Sequence, residues 1–479
     1  MFWFWLGLVA IIAACVAIVV VRTRKFVPAP EEAVSAPEEA FDTDRLRDDL
    51  QELIRCRTVS YRDRELEDES QFTLVTDALP RLFPQVFAVC ELHRPNDRSV
   101  LLHWRGKSSE KPTVLMAHYD VVPVDEKAWE RPPFDAVVED GVMWGRGTLD
   151  TKGTLVSVLE AADTLIAEGF VPEHDIWMAF AGDEEIAGGG APANVAWLTE
   201  HDVKPYLVLD EGGAVVDKVF PGVDRPCAVI GTAEKGQMAV QFKVKSQGGH
   251  ASAPTPGTPI PVLARAVMRL EKHPFPFRLS APVRQLFNTV APYSSTLYRV
   301  IFANLWLFRP LLNLICRKSG GELNALVRTT TAFTQASGSD VSNMIPSEAS
   351  IGANVRVLPG DTQHTVLRRL KRTVRSKRVE LSVDYGFDPS AVSRVDGEPY
   401  ERLRKAVRAT WPEALVTPYL MLACSDSRHY SPICDAVYRF SAMALSKEER
   451  GMIHGNNERI PLETLNKTVV FYRRFIRAC

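Results

Sequence analysis

The chain opens with an unbroken apolar run, Phe2 to Val21, close to the ~20 residues a helix needs to cross a hydrocarbon core. Trp3 and Trp5 stand at one end, and Arg22, Arg24 and Lys25 flank the other, where interfacial anchors belong. A cleaved signal peptide begins with a basic region, and none precedes this run. The string Ile12-Ala-Ala-Cys15 is weakly lipoprotein-like and is set aside for the same reason. The pattern predicts a single-pass N-terminal transmembrane anchor in residues 1–25, contacting the membrane through residues 2–21. The basic flank places the body on the cytoplasmic side. Residues 26–44, rich in Pro, Ala and Glu, read as a disordered linker.

Folded sequence starts where Leu46, Leu50, Leu53 and Ile54 recur at helical spacing. From Val100 onward strand-like and helix-like segments alternate, which predicts an α/β sandwich over 45–232. Its buried strands are Thr113–Ala117, Ile176–Phe180 and Tyr206–Asp210. A helix after Asp150 carries Leu155, Val158, Leu159, Ala162, Leu165 and Ile166 on one face. Near Thr232 the texture changes: Met238, Val240, Phe242 and Val244 alternate with polar or small residues, as in a sheet with one wet face. Helices near 261–272 and 362–375 and strands near 350–357 and 379–385 complete a smaller β-α-β-β-α-β unit, 233–388. Residues 389–479 return to the first domain.

Composition leaves this picture unchanged. The 479 residues are 46% hydrophobic and 24% charged, ordinary for a globular chain. A net charge of -2 gives no basic footprint for nucleic acid. The eight cysteines form no C-x-x-C pair, so neither a zinc ribbon nor a small disulfide scaffold is indicated.

The chemistry sits where strands hand over to loops. His118 and Asp120 follow one strand, Glu184 and Glu185 another, and Asp210 a third. Asp150 precedes a helix, and His454 lies near the far end of the chain. In open α/β sheets such strand ends are where ligands collect. An isolated Glu-Glu pair is more often a solvated turn, and a lone His more often structural. Together they form a set of two histidines and several carboxylates, able to hold a pair of zinc ions without cysteine. Such a pair would polarise a carbonyl and generate hydroxide near neutral pH. A free carboxylate is then needed as general base and acid.

His118-Tyr-Asp120-Val-Val-Pro123, Gly145-Arg-Gly-Thr-Leu-Asp150-Thr-Lys-Gly153, Asp183-Glu-Glu185, Asp210-Glu-Gly-Gly213, Gly249-His-Ala-Ser252 and His454-Gly-Asn-Asn-Glu458 follow one another along the chain. They resemble the M20 family of dinuclear zinc aminohydrolases. Within it the chain resembles the carboxypeptidase S branch, which includes N-fatty-acyl-amino-acid hydrolases and synthases; a shared insertion around Asn304–Pro310 supports this. The resemblance implies a zinc-aminohydrolase α/β sandwich with an inserted α+β lid and dimerisation domain. It implies two Zn²⁺ per subunit, with Co²⁺ or Mn²⁺ fitting similar ligands. His118 and Asp210 would hold one ion, Glu185 and His454 the other, and Asp150 would bridge them. Asp120 would orient His118, and Glu184 would be the general base and acid. His250 would reach a partner subunit's active site and stabilise the oxyanion, making the chain a homodimer through its inserted domain. Asn343 and Arg356 resemble substrate-contacting positions. Ala423-Cys-Ser-Asp-Ser-Arg428 replaces the glycine-rich stretch of many relatives, and Arg428 is the expected cation for a substrate carboxylate.

The expected reaction is hydrolysis of an amide bond beside a free carboxylate, in a peptide or an N-acyl amino acid. The competing reading is a membrane-tethered binding protein that keeps the fold without the chemistry. Every expected ligand and the base are present, which favours the enzyme. Leu297 to Cys316 is unusually apolar, and three roles compete for it: ordinary core, a bilayer contact, or the wall of an acyl groove.

Overall fold

The computed structural model describes residues 1–28, 36–217 and 222–479. An eight-stranded sheet organises the larger body. Its strands run in the order Glu91–His93, Ser99–Trp104, His174–Ala181, Ser108–His118, Leu207–Val216, Val437–Leu445, Cys227–Glu234 and Leu415–Met421. The central four are parallel and nearly continuous in apolar residues, as strands covered on both faces must be. Helix Lys152–Ala167 packs on Ser108–His118 and on the C-terminal helix Leu462–Arg477. Helix Gly190–Glu200 covers Ser99–Trp104 and His174–Ala181. Because the central strands are parallel, their C-terminal ends meet at one edge, and His118, Asp150, Glu185 and His454 gather there.

The smaller unit is an antiparallel sheet in the order Thr330–Ser337, Glu348–Val357, Gly236–Lys245 and Glu380–Phe387. Helices Pro259–Lys272 and Gln363–Val374 close its buried face. Met238, Val240, Phe242 and Val244 alternate inward, as their period of two requires, into a core separate from the larger one. The chain order of these elements is the expected β-α-β-β-α-β.

Two segments differ from expectation. Residues 281–326, which the sequence assigns to the smaller unit, bury Val283, Leu286, Phe287, Phe302, Leu312 and Leu326 in the larger core. Helix Ala281–Val290 packs on strand Leu415–Met421. The linker 26–44 falls partly outside the described residues, but its second half is docked. Glu39 lies buried against Arg473 at 2.8 Å, and Arg474 donates to the Pro37 carbonyl at 2.8 Å. Paired, buried charge, not disorder, characterises that stretch.

Helix Phe2–Lys25 is solvent-facing along its length, with a mean hydropathy of 3.0. Only its last turns touch the body. Arg22 Nε donates to the Ala303 carbonyl at 2.9 Å, and Asn304 Nδ2 to Thr23 Oγ1 at 3.1 Å.

Candidate active site

The site is built around Asp120, a fully buried carboxylate. Its Oδ1 lies 3.3 Å from His118 Nδ1. Its two oxygens accept the backbone N–H groups of Glu184 and Glu185, each at 3.1 Å, and the Ser60 hydroxyl at 2.7 Å. His118 Nδ1 also lies 3.0 Å from the Asp120 backbone carbonyl, and the ring is thereby fixed with Nε2 facing inward, 3.1 Å from Asp150 Oδ1. Asp150 precedes helix Lys152–Ala167, across a cis peptide to Thr151. Its loop is wrapped around Glu458, which accepts N–H bonds from Gly147 at 3.1 Å and Leu149 at 2.8 Å and pairs with Arg146 at 2.7 Å. Glu458 lies four residues beyond His454, so one loop both supports Asp150 and delivers the histidine. His454 Nε2 stands 3.0 Å from Asp150 Oδ2 and 3.0 Å from Glu185 Oε2.

The glycine cluster after Glu185 has a steric cause. Asp183 accepts the N–H groups of Gly189 and Gly190 at 2.8 and 3.0 Å. A Cβ at Gly188 or Gly190 would lie 2.2 or 2.5 Å from that carboxylate. Only glycine lets the helix Gly190–Glu200 start so close to the acids.

Two clusters of ligating atoms result: His118, Asp150 and Glu185, and His118, Glu184 and Glu211, with their atoms within 4.8 Å of one another in each. Glu211 was not expected. Its Oε1 lies 3.6 Å from His118 Nε2, whereas Asp210, the expected ligand, accepts the Ser427 N–H at 2.9 Å. Glu211 lines the open cavity with Asp150, Glu184 and His454, and Asp210 lines a smaller void with His118, Glu184 and Asp426. Adjacent residues of a strand point to opposite sides, and here the second acid faces the site.

Burial and neighbouring carboxylates dominate the electrostatics. Desolvation, with Asp426 facing it, holds the Glu184 carboxyl well above the usual range. Desolvation and the Asp150 carboxylate do the same for Glu211. Desolvation alone would lower His118, but Glu211, Asp120 and Asp150 raise its imidazole well above 6.5. Hydrogen bonds to Asp150 and Glu185 push His454 up to about 10. Among the described residues, the ion pairs of Asp150, Glu185 and Glu211 run only to these two histidines. Glu185 Oε1 is buried without a hydrogen-bond partner among them. This surplus of buried anionic oxygen, with two imidazoles, suits bound divalent cations of the zinc type.

The site opens into a cavity of about 400 Å³. Its walls include Val216, Val229, Leu286, Leu323, Leu326 and Leu445, and Arg450 also lines it. His250 and Asn343 lie together on the smaller unit, outside this lining, where Ala251 N donates to the Asn343 carbonyl at 2.9 Å. Arg356 donates to Cys424 Sγ at 3.2 Å across the junction of the two units. Arg428 is turned away: it donates to the Ser425 carbonyl at 2.6 Å and sits over the Phe387 ring, 4.9 Å from its centroid.

The profile of peptidase family M20/M25/M40 matches residues 114–478. The chain belongs to the M20 peptidase family. "Probable carboxypeptidase S-like 2" of Dictyostelium discoideum is 33% identical over 431 residues, covering 88% of this chain and 82% of that one. "N-fatty-acyl-amino acid synthase/hydrolase PM20D1" of Xenopus tropicalis is 36% identical over 434 residues, covering 89% and 84%. The M20 metallo-carboxypeptidase Sso-CP2 of Sulfolobus solfataricus superposes with a TM-score of 0.65 at 18% identity, over 91% of this chain and 99% of that structure. That likeness shows the fold. This M20 protein is a metal-dependent hydrolase of amide bonds, and the inactive alternative is set aside.

Proposed function

We propose that the chain hydrolyses N-acyl amino acids bearing an apolar acyl chain. The observation that carries this reading is the cavity itself, an aliphatic wall facing Asp150, Glu184, Glu211 and His454. An acyl chain would bury its methylenes against that wall. The similarity to an N-fatty-acyl-amino acid synthase/hydrolase supports the same substrate class. Arg450, which lines the cavity 3.8 Å from Glu322, would be the partner for the substrate carboxylate.

His118 and Glu211 would hold one zinc ion, Glu185 and His454 the other, with Asp150 between them. Bound there, the ions would polarise the scissile carbonyl and lower the pKa of water so that hydroxide is available near neutral pH. Glu184 takes the proton of the attacking water and returns it to the leaving amine. Asp120 keeps His118 in a single tautomer and holds the Glu184 backbone at the same time. His250, beside Asn343, donates to the oxyanion from a partner subunit. Helix Phe2–Lys25 anchors the enzyme in a membrane.

The test is a zinc-loaded enzyme assayed against dipeptides and N-acyl amino acids of rising chain length. Each buried methylene is worth up to ~0.8 kcal/mol, so kcat/KM should climb by up to about fourfold per carbon until the cavity is full. A flat series, with dipeptides the better substrates, would overturn the acyl reading in favour of a carboxypeptidase.

A further inference from the structure

Helices Thr296–Ala303 and Leu305–Ser319 meet at a bend of 116°. The second presents Trp306, Leu307, Leu311 and Leu314 to solvent, Trp306 at 52% and Leu314 at 50% exposure. Leu312 and Cys316, on its other side, are buried in the larger core. The fold is therefore satisfied without the outer stripe, and that stripe is a surface. At 15 residues the helix is about 22 Å long, too short to cross a core of about 30 Å. Its length and two-sidedness suit a helix lying in an interface.

Position and charge identify the occupant. The bend is where the N-terminal helix touches the body, with Arg22 and Thr23 bonded to Ala303 and Asn304. If that helix spans a bilayer, the exposed stripe lies at the level of its basic end. Residues 296–319 contain Arg299, Arg309, Arg317 and Lys318 and no acid, which complements anionic headgroups. The helix that follows, Gly321–Leu326, supplies Leu323 and Leu326 to the active-site cavity. We propose that this bent pair is a lipid-contacting platform, seated in the bilayer surface beside the N-terminal helix, through which acyl substrates pass from the membrane to the site. The delivery step rests on the acyl reading above; the lipid contact does not.

The test uses the full-length chain reconstituted in anionic nanodiscs, its intact mass showing whether residues 1–25 are retained. If they have been removed, anionic vesicles are added to the protein instead. Tryptophan fluorescence is compared in ordinary lipid and in lipid brominated near the headgroup. The expected result is a quenched component that is missing from Trp306→Phe. Equal quenching in both proteins means Trp306 meets no lipid, whether solvent or a second copy covers it, and overturns the platform. In the second arm, Leu311→Glu/Leu314→Glu should lose about tenfold in activity on bilayer-borne long-chain N-acyl amino acids and keep its activity on short soluble ones. Equal loss on both overturns delivery. Wild-type enzyme that turns over neither overturns the acyl reading and delivery together, with the quenching result unaffected.

Discussion

Asp120 joins the ring of His118 to the amides of Glu184 and Glu185, so one carboxylate positions both the proposed metal-ligating ring and the proposed base beside it. Glu184→Gln should keep its metal and lose about 10²–10⁴ in turnover, the range for a general acid–base residue. Glu211→Gln should lose metal, and Asp210→Asn, capped by Ser427, should keep it. Metal analysis of the three purified variants checks the assignment. Metal loss in Asp210→Asn with retention in Glu211→Gln would return the ligand to Asp210. The family resemblance names Asp210 and passes over Glu211; alternation says that the two diverge, and only the register says which faces inward. The role of Glu458 was hidden for a related reason: its partners lie about 310 positions away in the chain. Arginine placement also needed the fold. Arg450→Ala should raise KM for substrates with a free carboxylate by about tenfold or more, the cost of losing a charge-assisted contact. Arg428→Lys, acting on Ser425 and Phe387, should disturb KM far less; the reverse order in steady-state kinetics would restore Arg428 as the cation.

At the scale of elements, helix Lys152–Ala167 shows what periodicity captures and what it omits. Leu155, Val158, Leu159, Ala162 and Leu165 are buried, as their spacing predicts, and Ile166 on the same face is half-buried. Glu160 and Asp163 are buried too, which a polar letter in a helical repeat does not announce. Arg45 donates to Asp163 at 2.8 Å and stands 3.5 Å from Glu160, and neither Glu160 oxygen has a hydrogen-bond partner among the described residues. Desolvation raises the Glu160 carboxyl from 4.5 to about 7, against the pull of Arg45. The folded state thus holds a proton that the unfolded chain releases earlier. Stability from this group is full below its ordinary value and declines as pH rises through about 7. The gap corresponds to a loss on the order of 3 kcal/mol at pH 8. Glu160→Gln should therefore match wild type at about pH 4 and exceed it at about pH 8 in denaturant unfolding. An equal difference at both pH values would mean that Glu160 does not titrate in this range.

On the scale of the whole molecule, the two cores were legible because their strands differ in texture: continuous apolar runs in the covered parallel sheet, alternation in the half-covered one. The helices between 281 and 326 were misplaced because sequence order put them inside the smaller unit, while an amphipathic face carries no address for the core it will join. The same limit applies to His250. It is exposed on a two-residue strand paired with Met344–Ile345, outside the cavity lining of its own chain, so its proposed role requires a second subunit. The exposed edge strand Thr330–Ser337 offers a surface for a two-fold pairing. A decisive experiment mixes two inactive proteins. In a hybrid of His250→Ala and Glu184→Gln subunits, the first contributes an intact Glu184 and receives His250 from its partner, so one of the two sites is complete. Random exchange at equal ratio makes about half the dimers hybrid, and activity should recover to about a quarter of wild type. Metal content should stay at its wild-type level throughout, because neither residue is assigned as a ligand. Hybrids shown to form by differential tagging, yet inactive, would place the oxyanion donor within a single chain and remove the reason for His250 to cross between subunits.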